Sequence, residues 1–155
     1  MNSHVSRPSR TYTLKMSTTG VELFLDCHYR LCRLANELLP YGQTLFSALV
    51  HLRHVAPAMI LDDLVTLKDS GLMGGRQCFV GAPTLLTQIV EEIVENITLN
   101  FPESRRSIMA TQVFLVALKR FRLAASDDIT LCYRQMLTEG GAAIKISKGQ
   151  RKLLE

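Results

Sequence analysis

The sequence contains no tryptophan, and its four cysteines (Cys27, Cys32, Cys78 and Cys132) include no Cys-x-x-Cys pair. That spacing gives no sign of a secreted disulfide framework, so all four are read as reduced core thiols. The longest uninterrupted apolar run, 113–118, is far short of the roughly 20 residues that span a bilayer. Arg7, Pro8 and Arg10 have no hydrophobic segment behind them, so no secretory signal or membrane partner is expected and the default location is cytoplasmic. There is no Gly-x-Ser-x-Gly, no Walker A loop and no His-Glu-x-x-His. Gly71-Leu-Met-Gly-Gly75 lacks the Lys-Ser/Thr that a phosphate loop needs. No enzymatic activity and no cofactor are expected.

The chain is long enough, at 155 residues and 47% apolar, to bury a sizeable core. Its net charge is +4. Residues 1–55 hold six Lys/Arg against three acids, residues 56–138 eight against nine, and residues 139–155 four against two. Basic ends around a balanced middle favour an anionic partner for the N-terminal segment, nucleic acid above all.

One stretch alternates strictly. In Arg10-Thr-Tyr-Thr-Leu-Lys-Met16, Tyr12, Leu14 and Met16 point one way, and Thr11, Thr13 and Lys15 the other. This is the period-2 signature of a strand with one buried face. A lone strand leaves its backbone unpaired, so it needs a partner. With no second alternation of that length, the expected partner is the same strand of a second copy. Two antiparallel copies would display Thr11, Thr13 and Lys15 on one face, in a ribbon that fits the major groove of DNA.

The rest reads as helical. A flexible basic arm occupies 1–9, and Ser17-Thr18-Thr19-Gly20 offers helix caps. Helices are expected over about 21–38, 45–54 with Thr44 as its cap, and 57–69. A glycine-rich loop at 71–82 precedes a helix that starts at Pro83 and carries the stripe Leu86/Ile89/Val90/Ile93/Ile97. A long, nearly all-round apolar helix follows at 103–124, then one opened by Ser126, Asp127 and Asp128 that ends at Gly140-Gly141, then a basic tail at 141–155. Lys119, Arg120 and Arg122 suit the dipole at the end of the long helix.

The order strand, helix, short glycine turn, helix over residues 10–54 resembles the ribbon–helix–helix family of transcription regulators. The residues that carry the likeness are Thr11–Met16, Val21–Leu38, Tyr41-Gly-Gln-Thr44 and Leu45–His54. The resemblance implies a mainly α protein. In it, a ribbon–helix–helix unit at 10–55 dimerises by pairing one strand across two chains, with Tyr12, Leu14 and Met16 in the shared core. A helical oligomerisation or partner region at 56–140 would follow. Base readers would be Thr11, Thr13 and Lys15, and phosphate contacts the amides of Gln43 and Thr44 together with Arg7 and Arg10. The chemistry of those types suits the roles: Thr bonds either kind of base edge, Lys donates to guanine, and a helix N-terminus offers free N–H groups to phosphate. The implied partners are double-stranded DNA and the chain itself, as a homodimer or tetramer, and the family's frequent control of plasmid genes suggests a regulator of conjugation. An alternative is an all-helical adaptor or anti-activator that binds a protein through 57–138.

Two further patterns bear on chemistry. Cys27, His28 and Cys32 lie on one helix, with His28 and Cys32 at i,i+4, but no familiar spacing supplies a second pair of ligands, so no metal is expected. Asp62-Asp63 is expected on a solvated helix face, and Asp127-Asp128 is explained by capping.

Overall fold

The computed structural model describes residues 8–104 and 108–142. It is mainly helical, with one short two-stranded sheet. Strand β1 is Ser9–Met16 and α1 is Thr18–Ala35. Ser17 caps α1 by accepting from the Gly20 N–H, and Asn36 closes it in the left-handed region at φ 57°. Helix α2 is Tyr41–Leu52 and α3 is Pro57–Thr66, which runs into a 3-10 turn at Leu67–Asp69. Strand β2 is Arg76–Pro83. Helices α4 (Leu85–Asn100), α5 (Ala110–Leu123) and α6 (Ser126–Met136) complete the fold, α6 widening into a π-helical turn at Leu137–Ala142.

The strand expected at 10–16 is present, but its partner is not a second copy. β1 pairs antiparallel with β2 of the same chain, in the register Thr11 to Gly81, Thr13 to Phe79 and Lys15 to Gln77. Residues 76–83 are therefore a strand rather than the expected loop. Tyr12, Leu14 and Met16 are buried as the alternation requires, yet in the core of their own chain, beside Val80 and Ala82. The dimer core assigned to them is corrected accordingly. Pro83 ends β2 instead of opening α4. Lacking an N–H, it suits the end of a ladder as well as the start of a helix.

Helix α2 starts earlier than expected because Pro40 takes the cap position, extended at φ −65°, ψ 150°. Gly42 is then helical rather than a turn residue. A Cβ on it would overlap the carbonyl oxygen of Gly81 and meet the Ala82 Cβ at 3.1 Å, so its absence lets α2 cross directly over β2. The long helix is shorter than its apolar pattern suggested, a 3-10 turn at Pro102–Ser104 preceding it. From Val113 to Leu118 every residue of α5 is buried, making it the central element. One core joins Tyr12, Leu45, Ile60, Leu86, Leu118 and Ile129, so the expected boundary near residue 55 does not separate two cores.

Asp63 also departs from expectation. It is buried, accepts from Arg120 Nε at 2.5 Å and lies 3.8 Å from Lys119 Nζ, so α3 is pinned to the end of α5 by an ion pair. Two of the three cations read as dipole partners, Lys119 and Arg120, meet a buried carboxylate, which must be paired to be tolerated, while Arg122 lies 3.8 Å from the exposed Asp26.

Candidate functional site

The outer face of the ribbon is the surface to which the sequence assigns function. Because side chains alternate, burying Tyr12, Leu14 and Met16 forces Thr11, Thr13 and Lys15 outward, and all three are exposed. β2 adds Gln77 opposite Lys15, Phe79 opposite Thr13 and Gly81 opposite Thr11, each also exposed. Phe79 is 64% exposed at the middle of this face. Arg76, at the end of β2, is also exposed, but it pairs with Met16 and so has the inward parity. Sequence reasoning missed the β2 half. The signal was present as the alternation of Cys78, Val80 and Ala82, but these are small or modest apolar residues beside two glycines.

The cation Arg10 is not part of that row. It shares the inward parity of Tyr12, and its guanidinium lies 4.8 Å from the Tyr12 ring centroid. There it lines a groove between β1, α4 and α5 with a volume of about 550 Å³, whose lining also includes Glu91 and Glu95. Tyr12 anchors the floor, with its hydroxyl 3.0 Å from both the Pro83 carbonyl oxygen and Thr87 Oγ1, and its ring edge-on to Phe114 at 5.6 Å. Arg7 lies outside the described residues.

The expected phosphate contacts at the start of α2 are not available as a pair. Thr44 is three positions inside the helix and fully buried, and the Gln43 amide donates to the Pro40 carbonyl at 3.1 Å. Crossing β2 buries Gly42 and Thr44, so the expected pair of amides is not presented together to an anion.

Thr44 instead meets α1. Its Oγ1 is 2.7 Å from His28 Nδ1, and His28 Nε2 is 3.6 Å from Cys32 Sγ. The Tyr41 ring packs against the imidazole, with centroids 4.5 Å apart. The i,i+4 spacing of His28 and Cys32 was legible in the sequence, but their connection to Thr44 was not. Burial pushes His28 below the usual imidazole range. Burial likewise drives the Cys27 thiol up to about 12 and the Cys132 thiol up to about 11. Among the described residues no group of three His, Cys, Asp or Glu side chains could hold a metal ion. No described helix is long and apolar enough to cross a membrane. Comparison with family models, with curated proteins and with solved structures gives no match.

Proposed function

We propose that this chain is a sequence-specific DNA-binding regulator that presents the outer face of β1–β2 to the major groove. One observation supports it above the others: a two-stranded antiparallel ribbon exposes Thr11, Thr13 and Lys15 in one row, with Gln77 and Phe79 directly across. A ribbon of this width is one of the two elements that a major groove admits. Lys15 would donate to guanine, Gln77 would pair with adenine, the two threonines would serve either base edge, and Phe79 would touch a thymine methyl. Arg76, exposed at the end of β2 on the parity of Met16, lies off the row, and only its position at the ribbon's end would let it add charge toward the phosphate backbone. In this reading each chain owns a complete ribbon, so a homodimer carries two of them rather than sharing one. Neither the helix–phosphate contact at Gln43 and Thr44 nor a strand exchanged between chains is part of it.

The test is fluorescence anisotropy with duplex DNA over a salt series, on the wild type and on Lys15→Ala. Expected are binding that weakens steeply with salt and, once a preferred sequence is selected, a loss of about 1–3 kcal/mol of specific affinity in the variant with its thermal unfolding unchanged. Absence of binding at low salt would end this reading. It would turn attention to the adaptor alternative, for which Met59, Val65, Leu99, Leu123 and Leu131 stand exposed on the helices after residue 56.

A further inference from the structure

The contact between α1 and α2 carries chemistry that DNA binding does not use. Of the four free cysteines, Cys27 and Cys132 are buried, and the Cys27 thiol is 3.2 Å from the Leu118 carbonyl, to which it donates. Cys32 and Cys78 are partly accessible. Among the described residues, Cys32 is the partly accessible thiol in contact with an imidazole. His28 Nε2 is 3.6 Å from its sulfur, while His28 Nδ1 is fixed 2.7 Å from the fully buried Thr44 hydroxyl. With Nδ1–H donating to Thr44, the Nε2 lone pair faces the thiol. Nucleophile, base and a third group that orients the base are the parts of an activated nucleophile.

We propose that Cys32 is a nucleophilic thiol activated by His28 and positioned for exchange with a small-molecule disulfide. The thiol proton moves to His28 Nε2. The Cys32 sulfur attacks one sulfur of the disulfide, a new S–S bond forms and the old one breaks. The departing thiolate takes the proton back from the imidazolium. The net change converts one protein thiol and one disulfide into a mixed disulfide and one free small thiol, and no other oxidant is needed. Burial keeps the imidazole neutral near neutral pH, in the form that can accept the proton. The other ionisable groups around the pair are Tyr41, packed on the His28 ring, and Tyr133 of α6, which lies within electrostatic reach of both Cys32 and Glu37. Neither tyrosine is a cation, and the base in contact with the thiol is His28. The fully buried Cys27 is held by its bond to Leu118, so the mixed disulfide has no resolving partner there and should persist.

The experiment treats the full chain with oxidised glutathione, follows intact mass, and maps the modified peptides, with Cys78 as the reference thiol in the same molecule. The expected result is one glutathionyl group added first at Cys32, absent in Cys32→Ser. In His28→Gln the rate at Cys32 should fall at least about tenfold while that at Cys78 is unchanged. Should His28→Gln fail to fold, the wild-type pH–rate profiles decide. Cys32 should gain rate as the imidazole loses its proton, at lower pH than Cys78. Equal rates and matching profiles at the two cysteines, or a Cys32 rate unaffected in folded His28→Gln, would overturn the proposal. Because DNA is absent from the assay, its result does not depend on what the ribbon binds.

Discussion

The two strands of the ribbon share one ladder but fill its inner side with different volumes. β1 turns Tyr12, Leu14 and Met16 inward, whereas β2 turns Cys78, Val80 and Ala82. The difference follows what lies over each strand. β1 is met by side chains, as in the edge-on contact of Tyr12 with Phe114 of α5. β2 is met by backbone, because α2 crosses it at Gly42, where a single added carbon would strike Gly81. A strand covered by side chains needs bulk to fill its space, and one covered by a helix backbone has room only for small residues. Strand character therefore shows in β1 as a contrast of size and polarity, and in β2 hardly at all.

If that account holds, the two strands should break differently. The largest effect belongs to Leu14→Asp. Leu14 is fully buried, and a carboxylate there would meet no partner in an aliphatic site. The expected result is loss of cooperative unfolding in circular dichroism, since the strand is part of the chain's own core. A variant that stays folded and changes only its oligomeric state would instead point to a core shared between chains.

The second test moves to the other strand without mutating it. Gly42→Val should destabilise by about 1–3 kcal/mol in urea unfolding, because its side chain must push α2 off Gly81 and Ala82. Valine also lowers helix propensity less than glycine does, so propensity alone predicts the opposite sign. A stabilised variant would mean that α2 can slide away from β2 without loss, and the size rule for β2 would fall with it.

The same contrast explains how much could be read from residues alone. The helices were legible because their apolar residues recur with a period near 3.6, and β1 because its alternation is strong. The partner of β1 was not, since pairing 9–16 with 76–83 is set by a helix that arrives between them in sequence and dictates small residues in β2. An alternation built from Cys78, Val80 and Ala82 amid glycines resembles a loop. In the outer row, Thr11, Thr13 and Lys15 were found by parity, while Gln77 and Phe79 required the register. Gln43 and Thr44 were placed at a helix start by local rules, but Pro40 and the crossing at Gly42 set both the start and its burial. His28 and Cys32 were neighbours by spacing, and only the packing of α2 on α1 brought Thr44 to the imidazole.

The smallest effect should come from Phe79→Thr. Phe79 has the outward parity of β2, is 64% exposed and stands opposite Thr13. Threonine, being β-branched, suits a pleated surface as phenylalanine does, and the change removes an aromatic ring that is mostly in water. Urea unfolding should therefore move by no more than about 0.5 kcal/mol. Such neutrality is informative because an exposed phenylalanine contributes little to folding and is free to serve contact. In the DNA reading the same variant should alter preference at a thymine rather than overall grip, since no charge is removed. A loss near 2 kcal/mol would instead place the ring among the packing residues, alongside Val21, Leu25 and Tyr41, which line the adjoining cavity with it. β2 would then be a strand that anchors a large side chain on its outer side, and the division of labour between its faces, on which the proposed reading surface rests, would be wrong.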